Sequence, residues 1–164
     1  AGEGLLPGLE PAGTPAPGSF QVHIRGEQFK FSCAHFVAYA GFRERIHGHN
    51  YTVSVRLEGQ RNGDGYVIDF GDVKHALKHV CKELNEHFIV PMRSDVIDVH
   101  VDDAKKQLHM SCEDGAHFQL PLDDCALLPL VHSTAEELAE FLHSKLVAEI
   151  GMEKLACRRA RWME

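Results

Sequence analysis

The residues best equipped for chemistry in this chain lie in the run Ile46-His47-Gly48-His49-Asn50-Tyr51. Successive side chains on a β-strand point to opposite faces, so His47 and His49 share a face and form a ready metal pair. His35, twelve residues before His47, ends the segment Phe29-Lys30-Phe31-Ser32-Cys33-Ala34-His35. That segment can enter as a second strand and supply a third imidazole. Three nitrogens at roughly 2.0 Å from one Zn²⁺ leave the fourth tetrahedral position open, as in a catalytic rather than a structural zinc site. With 12 histidines in the chain a His-x-His pair alone carries little weight. The third histidine, and the carboxylate of Glu44 three residues before the pair, give the set its chemical sense.

These residues need strands to hold them, and the patterns on either side supply candidates. Phe20, Val22 and Ile24 alternate, Gly26 breaks the run, and Phe29, Phe31 and Cys33 resume it, as one bulged strand or two short ones. From His49 to Glu58 the alternation is expected to set Tyr51, Val53, Val55 and Leu57 on the face opposite His49. Arg61-Asn62-Gly63-Asp64-Gly65 is a turn by composition. Helical spacing then links Val73, Ala76, Leu77, Val80 and Leu84, with Asp69 as N-cap. Between Pro91 and Pro129, Val96 to Val101, Gln107 to Cys112 and His117 to Leu120 read as an inserted β-hairpin region. Ser133-Thr134-Ala135-Glu136 reads as a capping box opening a second amphipathic helix that Gly151 closes. The order predicts an α+β fold, two helices covering one face of an antiparallel sheet.

At 164 residues, 44% hydrophobic, the chain suffices for one domain over residues 20–164. Residues 1–19, rich in Gly, Pro and Ala, cannot bury enough apolar surface to order themselves and are expected to form a disordered tail. The first residue is Ala rather than Met, which points to a processed or incomplete chain. A net charge of -7 argues against nucleic acid, which calls for clustered cations. No run approaches the ~18 apolar residues of a membrane span. The five cysteines include no Cys-x-x-Cys pair and read as reduced thiols in the cytoplasm.

Taken together, Phe31-Ser32-Cys33-Ala34-His35, His47-Gly48-His49-Asn50-Tyr51, Tyr66-Val67-Ile68-Asp69-Phe70 and Ser133-Thr134-Ala135-Glu136 resemble the 6-pyruvoyl-tetrahydropterin synthase family, from about Phe20 to the end of the chain. The resemblance implies the tunnelling fold, in which subunit sheets join into a barrel as trimers paired into hexamers, with sites at subunit interfaces. It implies a Zn²⁺ cofactor on His35, His47 and His49 and 7,8-dihydroneopterin triphosphate as substrate. Members with a cysteine just before His-Gly-His eliminate triphosphate to give 6-pyruvoyl-tetrahydropterin. This chain carries Glu44 in that region, similar to the glutamate-bearing branch, which mainly cleaves the side chain to 6-hydroxymethyl-7,8-dihydropterin, a folate precursor.

Three departures from the family pattern stand out. After the first helix, where Asp-His is usual, the chain reads Asn85-Glu86-His87, leaving Glu86 or His87 to serve in the proton relay. Ala135 replaces a common hydroxyl, with Thr134 and Glu136 the remaining candidates for pterin contact. The final strand, which carries the family's pterin-anchoring glutamate, is expected to be cut short at Trp162-Met163-Glu164. A non-catalytic relative that binds zinc, a pterin or a partner protein stands as the rival reading.

Overall fold

The computed structural model describes residues 18–155 and 158–163, so the predicted tail lies outside the described residues except for Gly18 and Ser19. The first half carries Phe20–Ile24 (β1), Lys30–His35 (β2), Ala38–Tyr39 (β3), Phe42–Arg43 (β4), His47–Thr52 (β5), Ser54–Gly59 (β6) and the helix Phe70–Leu84 (α1). The second half carries His87–Pro91 (β7), Ile97–Asp102 (β8), Gln107–Cys112 (β9), His117–Pro121 (β10) and Cys125–Leu128 (β11). It ends in the helices Ala135–Ile150 (α2) and Met152–Leu155 (α3) and the strand Arg158–Met163 (β12). The α+β class predicted from sequence holds.

β1 and β2 are separate strands, joined by a turn in which Phe29 N–H donates to the Gly26 carbonyl at 3.0 Å. The alternating run that follows divides at Val53, whose N–H donates to the Phe29 carbonyl at 2.7 Å. One extended segment thereby feeds two sheets. β5 pairs antiparallel with β2, whereas β6 pairs antiparallel with β1 and, on its other edge, with β12. β12 follows β6 from Arg158↔Gly59 to Met163↔Ser54, so the last strand begins at Arg158, ahead of Trp162.

The central sheet runs β11-β7-β2-β5, and β7 lies parallel to both β2 and β11. Its two faces bury different partners. Phe31, Cys33 and Ile89 point toward the helices and join one apolar cluster with Val73, Leu77 and Val80 of α1 and Leu138, Leu142 and Leu146 of α2. Phe88 and Val90 point the other way, onto Ile97, Leu108 and Met110 of the antiparallel β8-β9-β10 sheet. The predicted insertion is therefore a second layer closing the sheet's other face, with strand limits close to those read from sequence.

One expectation of facing is corrected. Tyr51 lies on the same face as His49, their ring centroids 5.3 Å apart, and Val53, Val55 and Leu57 continue that face into the helix-covered core. The physical reason is the two-residue period itself, which keeps all odd-numbered positions from His47 to Leu57 together. The histidines are thus the uncovered end of the stripe that forms the core.

Asp69 caps α1, its carboxylate accepting the Gly71 N–H at 2.6 Å. Gly151 ends α2 at φ 89°, a left-handed value that a side chain disfavours, with its N–H on the Val147 carbonyl. Among the described residues no helix is long and apolar enough to cross a membrane.

Candidate metal centre and its surroundings

The antiparallel register of β2 and β5 sets His35 opposite His47 and Cys33 opposite His49. Opposed residues share a face, so the three imidazoles converge as the sequence predicted. Ring centroids lie 4.7 Å apart for His35 and His47, 5.1 Å for His35 and His49, and 4.9 Å for His47 and His49. One ligand nitrogen from each falls within 4.8 Å of the others. His35 forms the buried floor, and His47 and His49 lie nearer the surface.

Hydrogen bonds turn two rings toward a common point. The Nδ1 of His47 lies 2.8 Å from the Arg45 carbonyl, which can only accept, so Nδ1 carries the proton and Nε2 keeps its lone pair. The Nδ1 of His35 is engaged by Ser133 Oγ at 3.2 Å. Its Nε2 is the buried side-chain polar atom that lacks a hydrogen-bond partner among the described residues. A buried nitrogen without a partner is costly unless a ligand meets it. Burial first, and the neighbouring His47 second, hold His35 below the ordinary histidine range, favouring the neutral ring a metal requires. On donor type, lone-pair direction and spacing, these residues fit a divalent metal.

Glu44 stands beside this set, and its placement is built by backbone. Its N–H donates to the Val37 carbonyl at 2.9 Å, and its carboxylate accepts the Val37 N–H at 3.0 Å. The same carboxylate oxygen lies 4.0 Å from Nε2 of His47. Arg43 anchors the approach, bonding Asp114 at 2.7 Å and the Glu44 carbonyl at 2.9 Å.

The two relay candidates differ in placement. His87 opens β7 in register with Cys33, one strand beyond His49 on the same face, roughly 10 Å from it by strand spacing. Its Nδ1 donates to the Asn85 carbonyl at 2.7 Å. Glu86 is exposed, in a left-handed conformation at φ 62°, with its N–H on the Ser32 carbonyl. Cys33 lies between the two histidines, but burial pushes its thiol up to about 11, unsuited to a nucleophile near neutral pH.

The start of α2 corrects the predicted capping box. Thr134, not Ser133, is the N-cap, its hydroxyl accepting the Glu137 N–H at 3.3 Å. Glu137, not Glu136, is the capping acid, taking the Val131 and His132 N–H groups at 2.8 and 3.1 Å. Ser133 is drawn inward instead, donating to the Phe36 carbonyl at 2.8 Å. Glu136 is left exposed, and its charge, with those of Cys33 and Glu44, adds to burial in raising the Tyr51 phenol. Ser133 and Val37 escaped the sequence reading of the site. Ser133 stood inside a quoted motif, whereas Val37 acts through its backbone and left no signal.

The fold and the site define a class, an α+β subunit that gathers three imidazoles at a sheet edge beside a carboxylate. The chain is a pterin enzyme belonging to the 6-pyruvoyl tetrahydropterin synthase family, whose sequence profile it matches over residues 24–164. It is 32% identical over 136 residues to a Methanocaldococcus jannaschii protein provisionally named 6-carboxy-5,6,7,8-tetrahydropterin synthase, covering 82% of this chain and 80% of that one. It is 25% identical over 125 residues to the 6-carboxy-5,6,7,8-tetrahydropterin synthase of Haemophilus influenzae, covering 73% and 79%. Among solved structures, the 6-pyruvoyl tetrahydropterin synthase of Plasmodium vivax superposes with a TM-score of 0.81 at 36% identity, covering 88% of this chain and 99% of that one. The Plasmodium falciparum enzyme gives 0.81 at 35%, covering 89% and 99%. Two further Plasmodium vivax structures carry alanine or cysteine in place of a glutamate described as a catalytic residue.

Proposed function

We propose that this chain is a zinc-dependent lyase that cleaves the side chain of 7,8-dihydroneopterin triphosphate to 6-hydroxymethyl-7,8-dihydropterin, a folate precursor, with Glu44 as base. The observation that carries the reading is the Glu44 carboxylate, clamped by Val37 and 4.0 Å from His47 Nε2, where a cysteine-bearing relative would carry its thiol. The description of a catalytic glutamate in the Plasmodium vivax enzyme supports the same role.

His35, His47 and His49 would hold the zinc, which when bound supplies Lewis acidity toward the hydroxyl oxygens of the substrate side chain. Glu44 takes the proton of the 2′-hydroxyl. As the 2′ carbonyl forms, the 1′–2′ carbon bond breaks and its electron pair passes to C1′, in conjugation with the pterin ring. Protonation at C1′ completes the hydroxymethyl group, and the triphosphate leaves on the aldehyde fragment. His87, fixed by Asn85 on the triad's face, is the better placed of the two relay candidates to move that proton, with exposed Glu86 second. Thr134 and Glu136, at the start of α2, contact the pterin in this reading.

β5, which carries His47 and His49, is an edge strand of its sheet among the described residues. An unpaired edge beside a site favours completion by a second copy of the chain, so the working form is a homo-oligomer, a trimer or hexamer, in the cytoplasm.

A second reading, synthesis of 6-carboxy-5,6,7,8-tetrahydropterin, is favoured by the names of the curated relatives. Elimination to 6-pyruvoyl-tetrahydropterin is a third outcome of the same chemistry. Zinc-loaded protein given 7,8-dihydroneopterin triphosphate, with products identified by mass, separates them. Mainly 6-hydroxymethyl-7,8-dihydropterin is expected. Either other pterin as sole product rejects side-chain cleavage, and no product from a zinc-loaded oligomer rejects the enzyme reading in favour of a pterin-binding role.

A further inference from the structure

We infer that Ser133 is a positioning residue for the metal centre, acting through His35 by fixing which ring nitrogen keeps its lone pair; the inference rests on the zinc reading above. His35 and Ser133 are the two buried polar side chains among the described residues, and they are bonded to each other. Ser133 is fully buried, so neither partner can turn to water instead.

The direction of each bond follows from proton counting. The Phe36 carbonyl only accepts, so the single hydroxyl proton of Ser133 is spent there, at 2.8 Å. Its oxygen must then accept from His35 Nδ1 at 3.2 Å. A neutral imidazole with its proton on Nδ1 has its lone pair on Nε2, the buried atom without a partner that faces His47 and His49. The acceptor fixes the tautomer and ring orientation, as the outer partner of a ligating histidine does in metal sites generally.

The fold gives the bond leverage. Ser133 precedes the N-cap of α2, and Phe36 follows His35 at the end of β2, so one hydroxyl ties the helix entrance to the ligand's own strand. His132 makes a parallel tie, its Nδ1 donating to the Ala38 carbonyl at 2.9 Å. Between these ties lies Val37, which holds Glu44.

The test reads the tautomer and the metal separately. Long-range ¹⁵N–¹H correlation of the metal-free protein at mildly alkaline pH is expected to show His35 with its proton on Nδ1. In Ser133→Ala the Nε2–H form should become substantial. Zinc affinity by chelator competition should fall about 10- to 100-fold, the range for loss of such an outer partner. Ser133→Cys, which keeps the outline of serine with a larger sulfur that accepts only weakly, should show a similar loss. An unchanged tautomer in Ser133→Ala, or wild-type zinc affinity in either variant, overturns the inference. A wild-type protein with the Ser133-dependent tautomer that binds no zinc overturns the zinc reading and the metal-positioning role with it, so the two failures are told apart.

Discussion

Oε2 of Glu44 and Nε2 of His47 lie 4.0 Å apart, while the same carboxylate accepts the Val37 N–H. A carboxylate held by backbone beside these histidines is positioned before substrate arrives, and in the proposed role of base little of its freedom remains to be lost on binding. Glu44→Gln keeps the shape and removes the basicity. Its kcat should fall about 10²- to 10⁴-fold, the usual worth of a positioned general base, with zinc content unchanged. Turnover with the metal measured on the same sample checks this, and a fully active Glu44→Gln protein would reject the assignment.

Zinc should also stabilise the fold, because its ligands come together only in the folded state. At metal concentrations about 100 times Kd, binding to the native state adds roughly 2.7 kcal/mol. Chelation should therefore lower the melting temperature of the wild-type protein. It should leave His47→Ala or His49→Ala nearly unmoved, since either change removes one of three donors. Thermal melts with and without chelator decide it, and equal shifts in all three proteins would place the metal elsewhere.

The site was more legible in the sequence than its supports. A two-residue period suffices to set His47 and His49 on one face, and the third imidazole required only that β2 pair antiparallel with β5. The same period places Tyr51 with His49 rather than against it. At α2, Ser133-x-x-Glu136 and Thr134-x-x-Glu137 both satisfy the capping pattern one residue apart. What decides between them is a tertiary contact, Ser133 drawn into the core by Phe36 and His35, and no local pattern reports it. The parallel pairing of β7 with β2 is hidden for the same reason, because an apolar strand does not name its neighbours.

The corrected cap separates two adjacent glutamates by experiment. Glu137 supports the loop before α2 through two backbone N–H groups, so Glu137→Gln should cost about 1 kcal/mol of stability. Thr134→Ala should cost a comparable amount, in the usual range of roughly 0.5–2 kcal/mol for an N-cap. Glu136 carries no part of the cap, so Glu136→Gln should keep the wild-type melting temperature and raise KM for the pterin. Denaturant melts beside steady-state kinetics test the contrast, and a Glu136→Gln protein destabilised as much as Glu137→Gln would return Glu136 to a structural role.

Cys81, buried on the core side of α1, extends the argument to pH. Burial pushes its thiol up to about 11, from an ordinary value of 9.0. Because the folded value is raised, its contribution to stability is fully present below pH 9. It is lost as pH climbs from 9 toward 11, where the unfolded chain sheds the proton first. Cys81 should therefore resist alkylation at pH 7.5 in the native protein and react readily once denaturant exposes it. Mapping iodoacetamide adducts by mass at both conditions checks the first claim, and urea midpoints at pH 8 and pH 10.5, compared between wild type and Cys81→Ala, check the second. The drop in midpoint between those pH values should be smaller in Cys81→Ala, and an equal drop in both proteins would mean that the buried thiol contributes nothing to the alkaline loss.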